Sequence, residues 1–312
     1  MKEKILVTGA TGLVGSRFVE LAKEYSLYTP TSEEMDINNP SSVKSYVEKT
    51  NPDWIINFAA FTDVNASEEQ TGDNTASAWQ INVVGVQNLL GAFKSKNIIQ
   101  ISTDMVFPGD LSQPGPYAET DIPPTTNEKL TWYGWTKNRA EKLINERGGT
   151  VLRIIYPVRS SFEDKLDYIR GALKKFVEGK MYPLFHDQQI SIAFVDEIVT
   201  TLKKIIENDA HGVFHASSDT TTPHELISFV IKQLGGDESL VKSASIHDFL
   251  ATQKNANRYP VFGGLKSKLT EERLFGGLKT VITEEELSTH FSTWQTVVEY
   301  LIGQGLTLPD KQ

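Results

Sequence analysis

Short apolar runs alternate with longer stretches in which apolar residues recur at helical spacing. From the N-terminus the chain reads KILVTGA then LVGSRFVELAKEY, and DWIINFAA then SAWQINVVGVQNLLGAFKS; NIIQIST, a helical stretch opening TWYGWTKNRAEKL, and TVLRIIYPV follow. Nearly all-apolar strands separated by amphipathic helices predict a parallel sheet covered on both faces, a doubly wound α/β fold. The second strand is expected within SLYTPTSEEMDI. From about Ser160 the rhythm changes: DYIRGALKKFVEGK predicts a helix, ISIAFVDEIVTTLKKIIEN and GVFHAS return to the sheet pattern, and EEELSTHFSTWQTVVEYL predicts a terminal amphipathic helix. The pattern divides the chain into a larger domain over 1–158, rejoined by a segment at about 187–216, and a smaller domain made mainly of 159–312. The paired prolines of ETDIPPTTNEKLT forbid helix and ladder bonds and predict a surface loop.

Composition narrows the function. With 312 residues, 39% of them hydrophobic, the chain can bury a large core. Its net charge of −9 comes from interspersed acids and bases with no basic cluster, which argues against a nucleic-acid partner. The absence of cysteine excludes disulfides, thiolate metal sites and a cysteine nucleophile, and fits the cytoplasm. MKEKILVTGATG enters a strand without an apolar leader, and no run of 18 apolar residues occurs, so no membrane span is expected. His186, His211, His215, His224, His247 and His290 are scattered without metal-ligand spacing, and no metal is expected.

ILVTGATGLVGSRF puts Gly9, Gly12 and Gly15 between a strand and the opening of a helix. Gly9 suits the tight turn, Gly12 lets the backbone approach a pyrophosphate, and Gly15 lets the helix pack closely on the sheet. The helix N-terminus offers free N–H groups to phosphates. This matches the Rossmann dinucleotide pattern, the alternative being a purely structural glycine turn. At the tip of the second strand an acid would hold a ribose 2′-hydroxyl, but Thr31 and Ser32 stand there with Glu33 and Glu34 just beyond. That favours NADPH, with NADH open if the strand ends one residue later. Asp36 suits two roles, an acceptor for an adenine amino group or a cap or turn acid before NNPSSV.

Tyr133 and Lys137 share a helical face through their i, i+4 spacing. An ammonium close to a phenol favours its anion, so the tyrosine is expected to be made more acidic and to exchange a proton with a carbonyl oxygen. The lysine can also bond a nicotinamide ribose. The spacing by itself equally describes a buried tyrosine and a solvated lysine. NIIQISTDMVF brings Ser102 and Thr103 to the carboxyl end of a strand, the edge where such sheets bind ligands, and a hydroxyl there can polarise a carbonyl.

The chain resembles the dTDP-4-dehydrorhamnose reductase-like family of the extended short-chain dehydrogenase/reductase superfamily. The resemblance is carried by GATGLVG, DWIINFAAFTDVNASE, ISTDMVFPG, YAETDIPP, YGWTK, DQQISIAFVDEI and RYPVFGGLKSKL, in family order from residue 5 to about 269. It implies an NAD(P)-dependent oxidoreductase that reduces a 4-keto nucleotide-sugar, as in dTDP-rhamnose biosynthesis. Tyr133 and Lys137 become the catalytic pair and Thr103 the carbonyl-orienting hydroxyl. Asp104, Met105 and Val106 follow on the substrate side, Met105 where the family usually has tyrosine. The cofactor would meet Thr11, Leu13 and Val14 beside the glycines, then Ile37, Phe58, Ala59, Ala60 and Thr62. Tyr156 would lie against the nucleotide base, the alternative being a core strand aromatic, and Arg258 near the sugar nucleotide's phosphates, the alternative being a solvated loop charge. A homodimer is also implied. The long loop before Tyr133, the missing Gly and Pro-Thr after Asp187 and Gln188, and Asn65 in place of a family aspartate all depart from the pattern around the sugar. An epimerase or dehydratase that recycles its cofactor remains open. So does a non-catalytic subunit like the regulatory beta subunit of methionine adenosyltransferase.

Overall fold

A computed structural model describes residues 2–162, 164–253, 259–267, 270, 274 and 291–309. In chain order its first elements are β1 (Lys4–Thr8), α1 (Leu13–Leu21), β2 (Ser26–Tyr28), α2 (Pro40–Thr50), β3 (Trp54–Asn57), α3 (Val64–Glu68), α4 (Ser77–Trp79), α5 (Gly85–Ala92), β4 (Ile98–Thr103), α6 (Trp132–Arg147) and β5 (Thr150–Ile154). The six-stranded sheet runs from strand Gly212–Ala216 through β5, β4, β3 and β1 to β2. β1 pairs in parallel with β2 and β3, and β3 with β4. The doubly wound α/β class is thus the fold of this chain.

The strands form because their residues are apolar on both faces. Ile5, Leu6, Ile55, Ile56, Ile98 and Ile99 are wholly buried. Burying each such side chain is worth about 1.5–3 kcal/mol. Leu6, Ile55 and Ile98 meet Val43, Val86, Leu89 and Ile144 in one cluster, which seats α2, α5 and α6 on one face of the sheet.

Three elements differ from expectation. β2 stops at Tyr28, because Pro30 follows and Thr31–Met35 closes a turn through the Met35 N–H on the Thr31 carbonyl, at 3.0 Å. The run SAWQINVVGVQ is no uniform α-helix: residues Gln80–Val84 form a wide π-helical turn between α4 and α5. The last helix covers Trp294–Gly303 and starts at the Thr293 cap, while the polar half of the expected segment, up to His290, lies outside the described residues.

Two compact units emerge. The first comprises Met1–Pro108, Thr120–Arg153 and Ile198–Phe214; the second comprises Gly109–Glu119, Ile154–Glu197 and His215–Gln312. The second has its own core, in which Leu173, Ile192, Leu226, Val230 and Val298 are buried together. Among the described residues, no helix is long and apolar enough to cross a membrane.

Candidate active site

The strand order reverses between β1 and β3, and ligands of open parallel sheets bind at the carboxyl ends of strands at such a reversal. The glycine turn leaves β1 there. Gly9 has φ 63°, and a Cβ on it would stand 2.7 Å from the Ala59 nitrogen, so the position requires glycine twice over. A Cβ on Gly15 would strike the Gly9 carbonyl oxygen; Gly15 thus brings α1 against the turn, where close packing on the sheet was expected. Gly12 is the N-cap of α1 and, lacking a side chain, makes no side-chain cap bond to it. Thr11 and Gly12 are exposed, Leu13 is half-buried and Val14 buried. An uncapped helix N-terminus above an exposed glycine edge fits the pyrophosphate of a dinucleotide.

Phe58, Ala59 and Ala60 follow β3 and are half-buried, while Thr62 is exposed. Their loop is pinned by Asn82 of the π turn, which accepts from the Phe61 N–H at 2.8 Å and donates to its carbonyl at 3.1 Å. Asn82 also donates to the Thr136 hydroxyl of α6 at 2.8 Å. The exposed Asp36 is a turn acid, accepting from the Asn38 N–H at 2.9 Å; the cap of α2 is Asn39, and Ile37 is half-buried. Thr31 and Ser32 are exposed, and the Glu34 carboxylate folds back onto the Thr31 N–H at 2.8 Å.

α6 begins where Thr131 accepts from the Gly134 N–H at 2.9 Å and the Glu68 carboxylate accepts from the Trp132 N–H. A Cβ on Gly134 would collide with the Met105 carbonyl oxygen, so the first turn of α6 lies directly on the short 3-10 turn Asp104–Val106 that ends β4. This contact brings Tyr133 under the influence of Asp104. Thr103 and Asp104 are buried; the Thr103 hydroxyl donates to Asp104 Oδ1 at 3.1 Å and accepts from the Met105 N–H at 3.2 Å. Met105 is half-buried and Val106 buried. The neighbouring Ser102 hydroxyl is buried without a partner among the described residues.

The Tyr133 phenol does not show the expected acidification. Burial, and then the charge of Asp104, push the Tyr133 phenol above its ordinary value. Lys137 does not offset them: it is buried, its Nζ donates to the Ile101 carbonyl at 2.6 Å, and burial lowers it from 10.5 to about 8 against the opposing pull of Glu141. Spacing placed the two residues on one face but could not reveal how thoroughly water is excluded. Glu141 is itself held by Arg153 of β5 in a buried two-bond pair, at 2.9 and 2.7 Å.

Beneath the turn runs a polar chain that no sequence motif announced. Thr8 lies opposite Asn57 and Asn57 opposite Gln100 in the strand register, and all three are buried. The Ala59 N–H donates to the Thr8 hydroxyl at 3.3 Å, Thr8 to Asn57 Oδ1 at 2.5 Å, and Asn57 Nδ2 to Gln100 Oε1 at 2.7 Å. Gln100 Nε2 then donates to the Ile101 carbonyl at 2.8 Å, the oxygen that also receives Lys137. A glutamine inside IIQIST and an asparagine closing WIIN were the available signals.

Tyr156 belongs to the second unit and is no core strand aromatic. Its φ of 39° is left-handed, its ring is 37% exposed, and it packs 4.6 Å from the Tyr168 ring. A bulky residue held at positive φ stores strain of order 1–3 kcal/mol. Arg258 lies outside the described residues.

A reversed parallel sheet, a glycine turn and a Thr–Tyr–Lys set at the end of β4 define an extended short-chain dehydrogenase/reductase fold. The family described as RmlD substrate binding domain matches residues 2–274, and the chain belongs to that family. It is 28% identical to the "Probable low-salt glycan biosynthesis reductase Agl14" of Haloferax volcanii over 78% of this chain and 84% of the relative. It is 26% identical to a dTDP-4-keto-6-deoxy-D-glucose reductase of Streptomyces niveus over 84% of this chain and 89% of the relative. In fold it is similar to a dTDP-4-dehydrorhamnose reductase from Bacillus anthracis solved in complex with NADP, with TM-score 0.77 and 22% identity, covering 97% of this chain and 100% of that one.

Proposed function

We propose that the chain reduces the 4-keto group of a nucleotide-linked sugar at the expense of NADPH. The carrying observation is the place of Tyr133 on the first turn of α6, which packs directly on the Thr103–Val106 segment. A ketone reductase needs an acid there. Bound NADPH supplies the hydride; the residues of this chain manage the oxygen and its proton. As the carbonyl oxygen gains negative charge, Tyr133 donates its proton to it. A phenol keeps its proton at neutral pH, and an alkoxide is basic enough to take it.

Lys137 carries its positive charge below about 8 and favours the negative charge then left on Tyr133. Thr103 orients the carbonyl when its hydroxyl hydrogen turns from Asp104 to the substrate. The uncapped end of α1 and the edge at Gly12 hold the pyrophosphate, and Phe58, Ala59 and Ala60 line the dinucleotide. The Bacillus anthracis neighbour solved with NADP supports NADPH as the cofactor. Relatives named as reductases, one of them of a dTDP-4-keto-6-deoxy sugar, support the substrate class. The reading extends to a cytoplasmic homodimer, in keeping with the lack of cysteine.

Purified protein with a dTDP-4-keto-6-deoxy sugar should consume one NADPH per sugar reduced, followed by loss of NADPH absorbance. Absence of consumption refutes the reading. Product formed with cofactor recycled points instead to an epimerase.

A further inference from the structure

The chain Thr8–Asn57–Gln100 crosses three adjacent strands with every hydrogen bond donated in the same direction. It starts at the Ala59 amide, beneath the glycine turn, and ends on the carbonyl of Ile101. A carbonyl oxygen has two lone pairs, and here one receives Gln100 at 2.8 Å and the other Lys137 at 2.6 Å. An ammonium on a four-carbon stem has three rotatable donors and little directional preference of its own. Gln100 supplies the direction that the lysine lacks. Its amide cannot turn over, because its oxygen is held by Asn57, whose own oxygen is held by Thr8. The order of donors fixes the orientation of every member.

The geometry points to Gln100 as a positioning residue: by taking one side of the Ile101 carbonyl it sets where Lys137 stands relative to Tyr133. Thr8 and Asn57 carry the constraint back to the floor of the dinucleotide turn. The kinetic part rests on the reductase reading; the structural part does not. The charges bearing on Lys137 and its partner are Glu141 on α6, neutralised by Arg153 of β5, and Asp104 beside Tyr133. Gln100 from β4 and Asn82 from the π turn add dipoles only.

The test compares the full chain with Gln100→Met, similar in length and without polar hydrogens. The variant should lose about tenfold in kcat, the scale expected of a misplaced group. Its KM for NADPH should rise by no more than the fall in kcat, since Gln100 itself touches no ligand and only the Lys137 contact to the nicotinamide ribose is disturbed. The alkaline limb of its kcat profile should move to lower pH, because an ammonium that leaves the Ile101 carbonyl loses an acceptor that favoured its charged form. Unchanged kcat and an unmoved limb, with only a lower melting temperature, would reduce Gln100 to a structural role and overturn the proposal. Crystal structures of both forms decide it without turnover: Lys137 Nζ should leave its place on Ile101 in the variant, and an unmoved Nζ is the overturning result. If the wild type reduces no keto sugar, the reductase reading fails, while this pair of structures still decides whether Gln100 places the lysine. Should Gln100→Met not fold, the wild type with NADPH bound must show both donors on the Ile101 oxygen; a lysine beyond hydrogen-bonding reach of it defeats the idea.

Discussion

The carboxyl ends of β1 and β4 solve opposite problems. After β1 the chain leaves side chains out: Gly9 and Gly15 let backbone approach backbone more closely than any Cβ allows. After β4 it puts polar side chains in, with Thr103, Asp104, Tyr133 and Lys137 crowded around a helix start, Thr103 bonded to Asp104 and Lys137 to the Ile101 carbonyl. The first end is damaged by adding atoms. The second is damaged by taking them away, and especially by leaving a buried partner unmatched.

The contrast can be broken most severely at Tyr133. Tyr133→Phe should lower kcat by about 10²–10⁴-fold, the usual worth of a positioned acid, while NADPH titrated by fluorescence binds as in the wild type. Loss of binding together with turnover would merge the two ends into one. Arg153→Met comes next: it strands Glu141 without a partner, and chemical denaturation should show a loss of about 3–5 kcal/mol. Gly15→Ala is the converse experiment at β1. Overpacking against Gly9 should cost about 1–3 kcal/mol and raise the KM for NADPH, with Tyr133 and its surroundings unaltered.

The smallest effect concerns pH. Lys137 is charged below about 8 and neutral above it, so kcat should fall as pH rises through that value. Its stability contribution has the other sign. The unfolded lysine keeps its proton up to 10.5, so between about 8 and 10.5 the unfolded chain binds more protons and the burial penalty shrinks as pH rises. Lys137→Met should therefore melt higher than the wild type at neutral pH, by a margin that narrows across that window; a margin constant with pH sinks the assignment.

How much of this the sequence disclosed depended on whether the determining contacts are local. Gly9, Gly12 and Gly15 announced a strand, a turn and a helix because the conformation each needs lies within a few residues. The i, i+4 pair Tyr133 and Lys137 was legible for the same reason. The sign of the phenol shift was not, since it is set by exclusion of water and by Asp104, 29 positions away along the chain. Thr8, Asn57 and Gln100 are single polar residues within largely apolar strands, and strand register makes them one chain. LRIIYPV read as one continuous strand, yet Tyr156 turns left-handed within it, because a backbone kink leaves no mark on an apolar run.

The π turn at Gln80–Val84 has a consequence for how this chain tolerates insertion and deletion. It holds one residue more per turn than a regular helix, and that surplus lets Asn82 look inward while Val86, Leu89 and Leu90 keep to the core. Excising a single residue there would restore the regular i→i+4 pitch and leave Val86, Leu89 and Leu90 facing the core, at the cost of the inward turn of Asn82. Loss of one residue at this wide turn should therefore be absorbed by the downstream packing more readily than gain of one, and its signature should be a loosened loop at Phe61, which Asn82 pins.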